Sequence, residues 1–289
     1  MTIKNQLKTV LLLGSLTGLL LLIGALAGGK AGLTIALIFA GGMNFVSYWW
    51  SDKIVLWMYR AKPADKKHHT KLYAVIKEIS NKAHLPMPKV YIIDTPQSNA
   101  FATGRNPDHA AVAVTTGILQ LLDEKELRAV LSHELGHVKN RDILISTVTA
   151  TIAGVISYIA MMARWAAIFG GMNRDDNQHN GGGNILELLL LAILAPLMAM
   201  IIQLAISRSR EYLADETGAH LSKDPLALAS ALEKIEKNVR TFPFARMGKT
   251  EATAHLFIAN PLKASSFLEF FSTHPSTENR IKRLKEMKV

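Results

Sequence analysis

Long apolar segments without charge most restrict how this chain of 289 residues can fold. They cover residues 10–28, 31–51, 142–163 and 188–207, and Asp142 is the one charged residue among them. Each segment is about 20 residues long, the length that an α-helix needs to cross a bilayer. Because lipid offers the backbone no hydrogen-bond partners, such segments are confined to helices. We therefore predict an integral membrane protein with four transmembrane helices.

The apolar segments also have alternative interpretations. Residues 10–28 could be a cleaved signal peptide, but the apolar core is too long and a second apolar segment follows almost at once. Residues 142–169 and 188–207 could instead form a pair of buried core helices, because threonines and Pro196 dilute their apolar character. The number of membrane crossings in the second half of the chain therefore stays open at this stage.

Basic residues cluster beside the apolar segments, and the net charge is +10. The clusters precede the first segment and follow the second and the fourth: Lys4, Lys8, Lys53, Arg60, Lys62, Lys66, Lys67, Arg208 and Arg210. By the positive-inside rule, both termini and residues 52–141 should face the cytoplasm. The sequence shows no basic patch interleaved with aromatic residues, so the lipid bilayer is a better partner for this charge than nucleic acid.

The apolar segments divide the chain into four blocks. They are an N-terminal transmembrane hairpin (1–51), a soluble catalytic block (52–142), a second transmembrane hairpin (143–206) and a C-terminal soluble block (207–289). Periodicity predicts helices over 68–84, 204–221, 225–240 and 276–287, and strands over 89–93, 99–104 and 110–115. The expected fold class is α+β, mainly α-helical, with a small edge β-sheet. The chain has no cysteine, so any metal must be held by histidine and carboxylate.

A second constraint comes from the sequence HELGH at residues 133–137. On a helix, His133 and His137 lie on one face, so both imidazoles can bind one Zn²⁺ ion. Glu134 directly follows His133 on the helix, where its carboxylate can take a proton from the water that attacks a peptide bond. The alternative is a solvated helix face that carries two histidines by chance. The acidic helix start at residues 123–126 and the apolar stripe after it favour the metal site.

Two histidines leave a catalytic zinc ion one protein ligand short. Residues 207–215 (SRSREYLAD) supply Glu211 and, one helical turn later, Asp215. We predict that Glu211 completes a site for one zinc ion per chain. We also predict that Asp215 accepts a hydrogen bond from the second ring nitrogen of a ligand histidine. The alternative is a surface helix with an ion pair between Arg208 and Glu211.

Taken together, these motifs resemble the HtpX family of bacterial membrane zinc endopeptidases, which are related to the CAAX-processing proteases. The resemblance rests on HELGH, an apolar hairpin and then SRxxEYxAD, and it covers essentially the whole chain. Asn99-Ala100-Phe101-Ala102 and Thr273-His274-Pro275-Ser276 with Arg280 support it. It implies an integral membrane, gluzincin-type zinc peptidase. It also implies a role in stress-related quality control, with cleavage of misfolded or damaged membrane proteins from the cytoplasmic side of the inner membrane.

Other functions stay open at this stage. A CAAX-type processing protease would need a large hydrophobic chamber, for which four transmembrane helices are few. A zinc-dependent membrane scaffold would bind its clients without cutting them, and a cleavage assay separates it from a protease. A transporter is disfavoured because the apolar segments carry almost no ionisable groups.

Residues 99–103 are predicted to form an exposed edge strand beside the metal. Proteases commonly hold substrate as an added β-strand, because backbone hydrogen bonds are blind to sequence and suit unfolded clients. Asn99, Ala100, Phe101 and Ala102 are therefore the candidate substrate-binding residues, with Asn99 as the polar anchor. The alternative is an ordinary hairpin strand.

His274 is predicted to be a further catalytic residue. The tetrahedral intermediate of peptide hydrolysis carries an oxyanion, and a donor from outside the metal helix would help to stabilise it. His274 is polar and precedes Pro275, which fixes the turn. The alternative is a structural histidine that caps the helix beginning near Ser276.

Overall fold

The N-terminal part of this computed structural model is a helical hairpin; the structure describes residues 3–148, 208–241, 258 and 276–289. Helix α1 (Ile3–Met58) is broken at Gly28 and Gly29, where the predicted first segment ends, and Gly29 has a φ of 55°. The Asn44 amide donates a 2.8 Å hydrogen bond to the Thr17 hydroxyl across the two arms. The break therefore folds α1 back on itself.

The second arm of this hairpin is the one described helix that is long and apolar enough to cross a membrane. It covers Gly28–Met58, with a mean hydropathy of 1.5. Only 11% of its most apolar window is buried inside the protein, so the apolar side chains point outward. Large exposed apolar patches of this kind mark a surface that something else covers, and lipid fits the predicted hairpin. The arm runs on past the predicted boundary at residue 51.

A four-stranded sheet follows the hairpin. Its strands are β1 (Lys62–Pro63), β2 (Lys89–Ile93), β3 (Ala100–Thr103) and β4 (Ala111–Thr115), arranged in the order β1-β2-β4-β3. The central pair β2 and β4 is parallel, whereas β1 and β3 pair antiparallel at the two edges. All five residues of β4 are buried, as expected for a central strand. The short strand β1 was not predicted, because two residues carry no alternation.

Besides the helical residues 143–148, the structure describes seven α-helices. After α1 they are α2 (Thr70–Ala83), α3 (Thr116–Leu121), α4 (Glu124–Asn140), α5 (Arg208–Ser222), α6 (Pro225–Thr241) and α7 (Thr277–Glu286). Helix α4 is central: it packs most extensively against α5 and also contacts α2, α6 and β3. The fold is thus mainly helical with a small sheet, as predicted. Residues 143–148 are helical, whereas the rest of the predicted second hairpin lies outside the described residues.

Two glycines let α4 and α5 approach closely. A Cβ atom added to Gly136 on α4 would lie 3.2 Å from the carbonyl oxygen of Ala214. A Cβ atom added to Gly218 on α5 would lie 2.8 Å from the backbone nitrogen and Cα of His133. Such a distance is shorter than any ordinary contact, so α5 needs a glycine here to reach the predicted metal helix.

We expect the substitution Gly218→Ala to destabilise the protein by about 1–3 kcal/mol, as overpacking does. The added methyl group would push directly on the backbone of His133. Gly42→Ala is the matched control, because nothing lies within 4 Å of a Cβ atom there, and alanine should be neutral or mildly stabilising in a helix. Thermal unfolding in detergent compares the two variants, and equal midpoints would contradict the packing argument.

Candidate metal centre

Helix α4 begins where the sequence predicts. The Asp123 carboxylate accepts a 2.9 Å hydrogen bond from the Glu126 N–H, and the Glu126 carboxylate accepts one of 3.0 Å from the Asp123 N–H. This capping box fixes the start of the helix and so the face that carries the two histidines. The rings of His133 and His137 lie one turn apart, with centroids separated by 4.8 Å.

Helix α5 brings Glu211 to these two rings. One Glu211 carboxylate oxygen lies 3.8 Å from Nε2 of His133, and the other lies 3.7 Å from Nε2 of His137. One ligand atom from each residue lies within 4.8 Å of those from the other two. The three side chains could therefore hold a metal ion. In the described part of the chain, this is the one such group of histidine and carboxylate ligands.

Both histidine rings are oriented by a carboxylate on their far side. Nδ1 of His133 lies 2.9 Å from Asp215, the residue predicted for this position. Nδ1 of His137 lies 3.2 Å from Asp142, which the sequence marked only as the start of an apolar segment. Each Nδ1–H can donate to its carboxylate, which leaves each Nε2 facing Glu211 with a lone pair available for a metal.

Asp142 reaches His137 because of the way α4 ends. Arg141 has a φ of 57°, in the left-handed region, and this turns the chain back along the helix. The Asp142 N–H donates to the carbonyl oxygen of His137 at 3.2 Å. The sequence carries a faint signal for this position, since an aspartate at the head of a long apolar segment needs a partner.

Arg280 on α7 is the second residue whose position sequence reasoning missed. Its side chain is only 2% exposed, and it donates two hydrogen bonds to the Asp215 carboxylate, at 2.7 and 2.9 Å. A third donor binds the carbonyl oxygen of Ile258 at 2.7 Å. The guanidinium also lies 3.5 Å from Glu211. The sequence identified Arg280 as part of a terminal motif and gave it no role.

Glu134 lies beside the two histidines and faces the sheet. Its carboxylate accepts a 2.9 Å hydrogen bond from the Ala102 N–H of β3. Burial raises the pKa of the Glu134 carboxyl, and Glu211 adds to this effect, while His133 and His137 oppose it. A raised pKa makes a carboxylate a stronger proton acceptor, which is the property a general base needs.

Negative charge dominates the rest of the site. Burial lowers the pKa of the His137 imidazole, but the carboxylates of Asp142, Glu211 and Glu134 outweigh burial and raise that pKa to about 10. For Asp215, burial acts to raise the pKa, yet Arg280 and His133 hold it well below its ordinary value. A metal ion that binds here at neutral pH therefore displaces a proton from His137, so its affinity should rise with pH.

The predicted edge strand is at the edge of the sheet, but the prediction that it is exposed was wrong. Residues Asn99, Ala100, Phe101 and Ala102 are all at most 6% exposed. The Asn99 side-chain oxygen accepts a 3.3 Å hydrogen bond from the Ile258 N–H. The Phe101 ring contacts the tilted ring of Tyr59 with centroids 5.3 Å apart, and the Ala102 N–H donates to Glu134. Neighbouring segments thus cover this strand, which hydropathy alone could not reveal. His274 lies outside the described residues, and its role stays a prediction.

Comparisons with known proteins agree with this geometry. The profile of "Peptidase family M48" matches residues 66–288. The chain is 53% identical over 281 residues to a "Protease HtpX homolog" of Desulforapulum autotrophicum, covering 97% of this chain and 89% of that protein. It is 54% identical to the "Protease HtpX homolog" of Persephonella marina, covering 98% of this chain and 97% of that protein.

A solved structure shares the fold. The crystal structure of S. mikatae Ste24p superposes with a TM-score of 0.54 at 17% sequence identity. The alignment covers 97% of this chain and 64% of that chain, so this chain matches only part of the S. mikatae protein. The matched family spans the metal helix, Glu211 and the terminal helix, and the HtpX homologues match along nearly their whole length. The chain therefore belongs to peptidase family M48 and is a membrane metallopeptidase of the HtpX family.

Proposed function

We propose that this metallopeptidase is a zinc endopeptidase of the bacterial inner membrane that cleaves misfolded or damaged membrane proteins in stress-related quality control. One observation carries the proposal: two histidines and a glutamate converge on one point, beside a carboxylate that is buried next to a β-strand edge. Family membership supports the peptidase chemistry, and the apolar hairpin supports the membrane setting.

Zinc fits the three side chains better than a harder cation does. Imidazole nitrogens and a carboxylate are the ligand set of catalytic zinc sites, whereas Mg²⁺ and Ca²⁺ prefer oxygen ligands. Ligands of one tetrahedral zinc ion stand roughly 3.4 Å apart, given bonds of about 2.0–2.1 Å. The separations of 3.7 and 3.8 Å between Glu211 and the two imidazoles are close to this value.

We propose these roles for the side chains. His133, His137 and Glu211 would hold the zinc ion, which when bound would polarise the scissile carbonyl and acidify the attacking water. Glu134 takes the proton of that water on its carboxylate and later passes it to the leaving amine. Asp215 and Asp142 keep the two imidazoles in the tautomer that presents Nε2, and Arg280 keeps Asp215 ionised and in place.

Substrate would be held along β3. The carbonyl of Asn99 pairs with the N–H of Thr115 at 3.0 Å, so by antiparallel alternation Ala100 and Ala102 turn their backbone groups away from β4. The Ala102 N–H binds Glu134. Ala100 is buried, so a client would have to displace the segments that cover β3 before it could add a strand there. It would then use backbone groups around Ala100, with its scissile bond close to Glu134. Such recognition is blind to sequence, as degradation of varied damaged proteins requires.

The experiment that tests the proposal is casein cleavage by the purified, detergent-solubilised protein. We expect cleavage that a chelator abolishes and added zinc restores. Chelation without any loss of cleavage would exclude metal chemistry, and zinc binding without any cleavage would favour the non-proteolytic scaffold.

In the same assay, we expect Glu134→Gln to lower the cleavage rate at least about 10²-fold while zinc stays bound, because this residue is proposed to be a base and not a ligand. Glutamine keeps the oxygen that accepts the Ala102 N–H and removes only the proton acceptor. Zinc content measured by atomic absorption is the check. A variant that loses its zinc together with its activity would contradict the assignment.

For Arg280→Met, we expect an affinity for zinc lower by about 10- to 100-fold, because Asp215 loses the cation that fixes it behind His133. A lower thermal midpoint should accompany this, since removing one partner of a buried ion pair is strongly destabilising. Arg283→Met is the matched control on the same helix, because Arg283 is exposed and lies 4.5 Å over the ring of Tyr212. Equal zinc affinities of the two variants would show that Arg280 does not support the site.

The proposed orientation places four crossings in the membrane and both soluble blocks in the cytoplasm. An alkaline phosphatase reporter is active only outside the cytoplasm, so we expect a fusion at Asn177 to be active and one at Lys67 to be silent. The reverse pattern would invert the topology. Two silent fusions would mean that residues 142–207 do not cross the membrane.

A further inference from the structure

A groove lies where the second arm of α1 meets the sheet, away from the metal centre. Its volume is about 580 Å³. Aromatic side chains of α1 form one wall, chiefly Phe45, Trp49 and Trp50. The other wall comes from β2 and from the segment after β3, and it contributes Lys89 and Arg105.

The charges around this groove are mainly positive. Lys53, Lys89 and Arg105 line it, against Asp52 and Asp108, which leaves a net charge of +1 with His109 neutral. Within the described residues, neither Lys53 nor Lys89 forms an ion pair. Both ammonium groups are therefore free to bind an anion.

Arg105 is fixed in place without losing its charge. Its guanidinium lies 4.4 Å over the ring of Trp49 and donates a 2.8 Å hydrogen bond to Nε2 of His109. Nδ1 of His109 in turn lies 2.8 Å from the side-chain oxygen of Asn106. A chain of hydrogen bonds and a ring face thus position this cation, and within the described residues it forms no ion pair with a carboxylate.

The groove opens at the end of the apolar arm. Phe45, Tyr48, Trp49 and Trp50 form a cluster of ring contacts with centroids 5.4–6.2 Å apart. Trp49 and Trp50 remain 44% and 42% exposed. Tryptophan and tyrosine concentrate at the level of lipid headgroups, so this end of the arm lies at the boundary between lipid and water.

We propose that the groove binds the headgroup of an anionic phospholipid. Lys53, Lys89 and Arg105 meet the phosphate, and the acyl chains run along the aromatic wall and the exposed apolar face of the arm. The groove has basic side chains that can bind a phosphate and an aromatic wall that reaches the bilayer, and a phospholipid has a group to match each of them. A soluble phosphate would leave the aromatic wall without a partner.

Binding would have a structural consequence at the metal centre, if the proposed function holds. Arg105 comes two residues after Thr103, the last residue of β3. The neighbouring Ala102 donates its N–H to Glu134. A headgroup held by Arg105 would therefore fix the distance between β3 and the bilayer surface. At that distance, the loops of a membrane protein that leave the bilayer could reach the proposed substrate edge.

The four tryptophans of the chain supply the probe. In a Trp57→Phe, Trp165→Phe background, the fluorescence of Trp49 and Trp50 is measured for the full chain in detergent micelles. The quencher is phosphatidylglycerol or phosphatidylcholine that carries bromine on its acyl chain close to the headgroup. Each lipid is titrated into the micelles in a separate experiment. We expect phosphatidylglycerol to quench at a mole fraction about fivefold lower than phosphatidylcholine, as one unit of net positive charge near an anionic lipid implies.

Charge variants locate the effect. Replacing Lys53, Lys89 and Arg105 by glutamine should abolish the preference for phosphatidylglycerol over phosphatidylcholine. Arg105→Lys should keep that preference, because the positive charge remains. Replacing the exposed Lys71, Lys77 and Lys125 by glutamine removes the same charge elsewhere and should keep it as well. Should the triple groove variant unfold, Lys53→Gln with Lys89→Gln tests the same point and leaves the Arg105–Trp49 contact intact.

Three results would overturn the proposal. The first is equal quenching by the two lipids in the parent protein. The second is an equal loss of preference in the groove variant and the surface variant, which would mean general attraction and no site. The third is release of the brominated lipid by glycerol phosphate at the same concentration, which would mean a soluble phosphate site. None of these readouts depends on proteolysis, so the lipid site and the proposed function can fail separately.

Discussion

The close contact between α4 and α5 is the constraint on which the rest of the site depends. His133 and Glu211 are far apart in sequence, and only this contact brings an imidazole of one helix within 3.8 Å of a carboxylate of the other. Gly218 makes room for the backbone of His133, and Gly136 makes room for Ala214. The metal ligands are thus a property of the helix pair, and neither helix could form the site alone.

The same contact concentrates charge that the protein compensates only in part. Glu134, Glu211, Asp142 and Asp215 surround the two imidazoles, and Arg280 is the cation that directly contacts Asp215 and Glu211. Buried like charges repel strongly at low dielectric, so a divalent cation bound between the ligands would relieve this repulsion. We therefore expect metal binding to stabilise the folded protein. Because Arg280 comes from the last helix, the ligands are fully supported only when the end of the chain has docked.

The sequence predicted those parts of the site that follow from local periodicity. The i,i+4 spacing of His133 and His137 and the one-turn spacing of Glu211 and Asp215 are helical relations, and they needed only the right helix boundaries. Asp142 could not be assigned because its approach depends on the left-handed Arg141 at the helix end. Nor could Arg280, whose partner Asp215 lies 65 residues away. The burial of β3 was missed for the same reason: its covers are Tyr59, Glu134 and Ile258, each from a different segment.

The membrane arm and β3, the proposed substrate edge, are parts of one packed unit. Val55 and Leu56 at the end of α1 belong to a small apolar cluster with Phe101 of β3, and the ring of Tyr59 contacts the same phenylalanine. Phe101 precedes Ala102, whose N–H binds Glu134. Within the described residues, direct side-chain and backbone contacts thus connect the apolar arm to the proposed base Glu134. This packing supports the proposed clients, because a peptidase that cuts membrane proteins needs its substrate edge at a fixed distance from the bilayer.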